Sequence, residues 1–174
     1  MTELITSIAN TLLSRDWTLS TAESCTGGMV SSALTDLSGS SQWFERGFVT
    51  YSNHSKIEDI HVPSNLIDQF GAVSVEVAEA MAKGALLKAH TNLSLAITGV
   101  AGPTGGTDLK PVGHVCFAWA FQKTPTSAID VVGTMSQLID PNGPITTSTR
   151  HEIRERACDF ALTQLAQLLQ HRFI

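Results

Sequence analysis

Ser24, Cys25 and Thr26 stand directly before the paired glycines Gly27 and Gly28. The residues ahead of them, Trp17-Thr18-Leu19-Ser20, alternate in polarity and predict a short strand; those after them, Met29 to Leu37, carry a helical pattern. A strand that turns through Ser, Cys, Thr and two glycines into a helix gathers hydroxyls and bare backbone N–H groups at a positive helix end. Such a turn suits an anion, or a nucleophile whose attack creates an oxyanion. On spacing alone two roles are open to Ser24: a nucleophile, given a base within reach, or a helix N-cap. The Gly-x-Ser-x-Gly elbow of many hydrolases is absent, because Glu23 and Cys25 flank Ser24. Cys25 is open to two readings as well, a thiol activated by the helix end or a small buried apolar side chain.

A base for Ser24 has one candidate. Gly47 to Ser52 reads as a second strand, and Asn53 as the N-cap of a helix from His54 to Ile60 that carries Lys56. Two strand–helix units side by side in a parallel sheet bring their strand ends to one edge, where ligands of α/β proteins bind. A lysine desolvated there loses its proton readily and serves as a base; the plainer alternative is a solvated surface lysine. Tyr51, the only tyrosine, is placed to orient Ser24, to stack on a flat ring, or simply to pack half-buried. The Gly99 to Gly113 loop is rich in glycine and proline, which permits close backbone approach to a ligand or else a long surface loop. It matches neither the dinucleotide fingerprint nor the P-loop. Lys110 within it, with Arg150 and Arg154 at the start of the last helix, is suited to holding a phosphate. Arginine at a helix start opposes the helix dipole unless an anion is near.

These groups must be positioned by the remaining elements. Helical spacing predicts helices over about 3–15, from Ser64 to Phe70 closed by Gly71, from a Ser74 cap to about His90, and from about Thr147 to Gln170. The third of these is expected to bury Val77, Ala80, Met81, Gly84 and Leu87. Leu93 to Thr98 predicts a central strand. His114 to Phe121 and Ala128 to Met135 predict a hairpin, with a turn at Asp140-Pro141-Asn142-Gly143-Pro144. The order of elements implies an α/β fold, a three-layer α/β/α sandwich around a mixed, mostly parallel sheet, as a single domain over 1–174.

The chain has 174 residues, 43% of them apolar and 16% charged, with a formal net charge of −5. That composition describes a folded domain. With no Lys/Arg run it argues against nucleic acid as a partner. No signal pattern opens the chain, and no apolar run nears the ~20 residues of a membrane span. Three cysteines, Cys25, Cys116 and Cys158, are an odd count that suits free thiols in the cytoplasm better than a disulfide framework. The histidines and cysteines lack metal-ligand spacing, so neither a metal nor a cofactor is expected.

Taken together, Thr21-Ala22-Glu23-Ser24-Cys25-Thr26-Gly27-Gly28, Trp43 to Asn53, Gly71-Ala72-Val73-Ser74, Gly99-Val100-Ala101-Gly102-Pro103 and Lys110-Pro111-Val112-Gly113 resemble the CinA C-terminal domain family from about residue 4 to 170. The stand-alone members of that family are nicotinamide-nucleotide amidases. The resemblance implies hydrolysis of the carboxamide of nicotinamide mononucleotide, giving nicotinate mononucleotide and ammonia, by a metal-independent Ser–Lys pair. It places the nucleophile on Ser24, the base on Lys56 and the motif tyrosine on Tyr51. With that mechanism, substrate contacts are expected at Cys25, Thr26, Gly27, Gly28, Asn53, Gly99, Gly102, Lys110 and Arg150, with backbone N–H groups near Thr26 to Gly28 holding the oxyanion. A cytoplasmic homo-oligomer is expected. The chain departs from the family pattern at His54-Ser55, where Glu-Ala is common, and at Ser148-Thr149, where Gly-Asp precedes the arginine. Those departures keep open an alternative, a non-catalytic module that binds a nucleotide or a partner.

Overall fold

A computed structural model describes residues 1–124, 126–139 and 148–172. The described elements run α1 (Thr2–Ser14), β1 (Leu19–Glu23), α2 (Met29–Thr35), a 3-10 turn (Ser40–Gln42), β2 (Phe44–Val49), α3 (Asn53–Ile60), α4 (Ser64–Phe70), α5 (Val75–Ala89), β3 (Leu93–Gly99), β4 (His114–Phe121), β5 (Asp130–Leu138) and α6 (Arg150–Arg172). The strands form one five-stranded sheet in the order β2-β1-β3-β4-β5. β1 pairs parallel with β2 and with β3, while β4 runs antiparallel to both β3 and β5. Four strands therefore point one way and β4 alone opposes them, which is the mixed, mostly parallel sheet the sequence implies.

Alternation along each strand divides the core in two. Leu93, Leu95 and Ile97 of β3, with Val115, Phe117 and Trp119 of β4, pack against α1, α2 and α6. The opposite face presents Ala22, Ala96, Cys116, Ala118 and Ala120 to α3, α4 and α5. Small side chains on that face meet Ala78, Ala82 and Ala85 of α5. The result is a three-layer α/β/α sandwich. Among the described residues no helix is long and apolar enough to cross a membrane.

Several boundaries differ from those the pattern predicts. β1 runs on through Thr21, Ala22 and Glu23, because its paired neighbours continue alongside it as far as Val49 and Ile97. β2 starts earlier and ends at Val49, and β5 is shifted to Asp130–Leu138. Ser52, not Asn53, caps α3: its hydroxyl accepts from the Ser55 N–H, and the Ser55 hydroxyl accepts from the Ser52 N–H. Leu87, expected on the buried face of α5, is 54% exposed; the helix turns Ala78, Ala85 and Leu86 inward instead. The predicted turn at 140–144 and the predicted start of the last helix at Thr147 lie outside the described residues.

Candidate active site

The parallel register is what assembles the site. Glu23 pairs with Val49 on one side and Ile97 on the other, so β1 and β2 finish level and β3 runs only two residues further. The segments that follow them, 24–28, 50–52 and 99–113, therefore meet at one edge of the sheet. Period-two alternation then separates two adjacent side chains. Glu23 points to the α2 side and Ser24 to the α3 side.

Ser24 and Lys56 are brought together. Lys56 Nζ lies 3.1 Å from Ser24 Oγ, and it also contacts the carbonyls of Thr50 at 2.8 Å and Tyr51 at 3.2 Å. The lysine is 1% exposed. Among the described residues its ammonium has no carboxylate partner, and burial lowers its pKa from 10.5 to about 8. The solvated-surface alternative for Lys56 is thereby overturned. The N-cap alternative for Ser24 falls too, because Gly28 is the N-cap of α2 and no side-chain hydroxyl caps that helix end.

Glu23 takes that role from a distance. Its carboxylate is fully buried and accepts from the N–H groups of Gly28 at 3.0 Å, Val30 at 3.1 Å and Ser31 at 2.8 Å, and from the Ser31 hydroxyl at 2.7 Å. The negative charge at the helix N-terminus is favourable. It also corrects the expected oxyanion site. The Gly28 N–H is already donated to Glu23, and the Gly27 N–H to the Ser24 carbonyl at 3.1 Å. Among the described residues, the N–H groups of Cys25 and Thr26 donate no hydrogen bond to another residue. The Thr26 hydroxyl is buried without a partner among the described residues.

A cleft of about 270 Å³ opens over Ser24, lined by Cys25, Tyr51, Gly99, Gly102 and Arg150 among others. Tyr51 is 59% exposed rather than half-buried in packing, and its hydroxyl accepts from Arg150 Nη2 at 2.7 Å. Arg150 Nη1 donates to the Gly102 carbonyl at 2.7 Å. Cys25 lines the cleft, but burial pushes its thiol up to about 12, so at neutral pH the group is a protonated thiol rather than a nucleophilic thiolate.

Two other expected contacts are placed elsewhere. Lys110 Nζ donates to the Phe70 carbonyl at 2.6 Å, closing the end of α4, and is absent from the cleft lining. Asn53 is exposed at the first turn of α3. A larger cavity of about 520 Å³ lies between α2 and the start of α6, bounded by Met29, Asp36, Glu155 and Asp159, and none of the candidate groups faces it. Glu23 is the important residue not singled out for the site. Arg154, expected with Arg150 to suit a phosphate, instead turns its guanidinium to the carbonyls of Cys25 and Thr26 and is absent from the cleft lining.

This geometry coincides with clear relationships to known proteins. A family model described as the CinA C-terminal domain matches residues 1–169. The nicotinamide-nucleotide amidohydrolase PncC of Escherichia coli K12 is 50% identical over 118 residues, which are 68% of this chain and 72% of that protein. A CinA-like protein of Leptospira biflexa is 40% identical over 169 residues, covering 94% of this chain but 36% of that one. The chain likewise spans only 23 to 37% of several longer curated relatives. The crystal structure of a CinA superfamily protein from Klebsiella pneumoniae 700603 superposes with a TM-score of 0.83 at 33% identity, over 97% of each chain. The match in sequence and in architecture leads to one conclusion: the chain belongs to the CinA C-terminal domain family.

Proposed function

We propose that this chain hydrolyses the carboxamide of nicotinamide mononucleotide to nicotinate mononucleotide and ammonia, with Ser24 as nucleophile and Lys56 as base. The observation that carries the reading is the buried Lys56 Nζ within 3.1 Å of Ser24 Oγ. A neutral amine has two N–H groups and one lone pair. With the N–H groups donated to the carbonyls of Thr50 and Tyr51, the lone pair is left for the Ser24 proton. No carboxylate is needed to hold the base.

The serine oxygen attacks the carboxamide carbon as Lys56 takes its proton, giving a tetrahedral intermediate. The N–H groups of Cys25 and Thr26, which donate to no other residue among those described, are the donors available to its oxyanion. Collapse of the intermediate expels the amide nitrogen, which leaves as ammonia on receiving the proton from Lys56. The resulting ester on Ser24 is attacked by water, whose proton passes to Lys56 and then back to the serine. The Arg150 guanidinium at the cleft mouth is the cation suited to the substrate phosphate.

The E. coli relative named for this activity supports the substrate assignment. Ammonia release from nicotinamide mononucleotide by the wild type, S24A and K56A tests it. Turnover by the wild type, falling about 10³-fold or more in each variant with the fold retained, is expected. Near-normal turnover in either variant rejects the pair.

A further inference from the structure

The turn that carries Ser24 is gripped from its other side by Arg154. Its Nε donates to the Cys25 carbonyl at 3.0 Å and its Nη2 to the Thr26 carbonyl at 2.7 Å. Two consecutive peptide carbonyls thus face one planar guanidinium. No carboxylate forms an ion pair with Arg154 among the described residues, so its charge is spent on this backbone. Gly27 makes the approach possible: its φ is +58°, and a Cβ there would lie 3.2 Å from Arg154 Nη2.

In a trans peptide the C=O and the following N–H point in opposite directions. Holding the Cys25 carbonyl toward α6 therefore turns the Thr26 N–H away from α6. Holding the Thr26 carbonyl does the same for the Gly27 N–H, which returns to the Ser24 carbonyl at 3.1 Å. Among the described residues the Thr26 N–H, two positions after the nucleophile, donates to no other backbone group.

We infer that Arg154 is a positioning residue for the oxyanion, fixing the Cys25–Thr26 peptide so that its N–H is aimed before substrate arrives. The inference rests on the amidase reading above. A donor used only in the transition state affects kcat and leaves ground-state binding alone. A lysine in place of Arg154 keeps a charge but offers no fork to two carbonyls.

The test is steady-state ammonia release from nicotinamide mononucleotide by the wild type, R154A and R154K, with melting temperature recorded for each. Expected are kcat losses of about 10²-fold in R154A, KM within threefold of the wild type, incomplete recovery in R154K, and restoration of R154A turnover by added guanidinium. A kcat within fivefold of the wild type in R154A overturns the inference, as does a rise in KM alone. If R154A does not fold, R154K alone decides by the same kcat and KM criteria. If the wild type releases no ammonia, the amidase reading fails, and crystal structures of R154A and R154K decide instead. A Cys25–Thr26 peptide turned from its wild-type plane supports positioning; an unmoved peptide overturns it.

Discussion

Arg150 and Tyr51 are joined by a 2.7 Å hydrogen bond between residues 99 apart in sequence. Because Arg150 also donates to the Gly102 carbonyl at 2.7 Å, one guanidinium ties the segments after β2 and β3 to the start of α6. It does so at an exposed position, where the bonds exchange readily with water and with a ligand. A substrate phosphate entering the cleft competes for the same donors. Replacing Arg150 with alanine is expected to raise KM for nicotinamide mononucleotide about 10- to 100-fold, the equivalent of a charged hydrogen bond worth about 1.5–3 kcal/mol, with a smaller change in kcat. Steady-state kinetics checks it; an unchanged KM assigns the phosphate to other groups.

Glu23 is expected to matter for stability as much as the core. Its carboxylate accepts three backbone N–H groups and a hydroxyl in full burial. Glutamine substitutes an amide for one accepting oxygen, so at least one buried donor loses its partner, at a cost of about 1–3 kcal/mol. In urea unfolding E23Q is expected to show a lower midpoint with an unchanged slope. A midpoint equal to the wild type would mean the turn is held without the carboxylate.

The depressed pKa of Lys56 has consequences for both activity and stability. Turnover is expected to rise with pH and level off above about 8, as the amine becomes neutral. For stability, the folded pKa of about 8 lies below the ordinary 10.5. Between those values the unfolded chain holds a proton that the native chain has lost, so native stability increases with pH. Below about 8 both states are protonated and the cost of burying the ammonium is fully present. The gap of roughly 2.5 pH units corresponds to about 3 kcal/mol. Urea unfolding of the wild type and K56M is therefore expected to diverge in favour of the wild type, by up to that amount, as pH rises from 8 to 10.5. A pH-independent difference would show that Lys56 titrates normally.

How much of this was legible in the chain follows from the range of each interaction. Helices such as α4 and α5 were readable because spacing, Ser74 and Gly71 are local signals. The Ser24 turn was readable as a strand-to-helix junction for the same reason. Its pairing with Lys56 was not, since it depends on β1 and β2 lying parallel with Glu23 opposite Val49, a long-range register. Family resemblance supplied that pairing; spacing could not. Glu23 carried no sequence signal, because a carboxylate at a strand end looks like any other until the turn folds back on it. The N–H groups of Gly27 and Gly28 appeared free for the matching reason: their acceptors, Ser24 and Glu23, are set by the shape of the turn.

Gly84 couples the packing of the small-residue face to the position of the base. On α5 it faces α3, and a Cβ added there would overlap the carbonyl oxygen of Ile60, a backbone atom that cannot swing aside. Ile60 ends α3, one turn beyond Lys56. G84A must therefore push α3 outward and carry Lys56 Nζ from Ser24. Overpacking of this kind costs about 1–3 kcal/mol, and a misplaced base reduces the chemical step. The expected result is a lower urea midpoint together with at least a tenfold loss of kcat. K83G, at a half-exposed neighbouring position on the same helix, supplies the comparison. It loses about 1 kcal/mol through helix propensity while leaving α3 in place, so its turnover should match the wild type. Equal turnover in G84A and K83G would show that α3 accommodates the methyl group without moving the lysine.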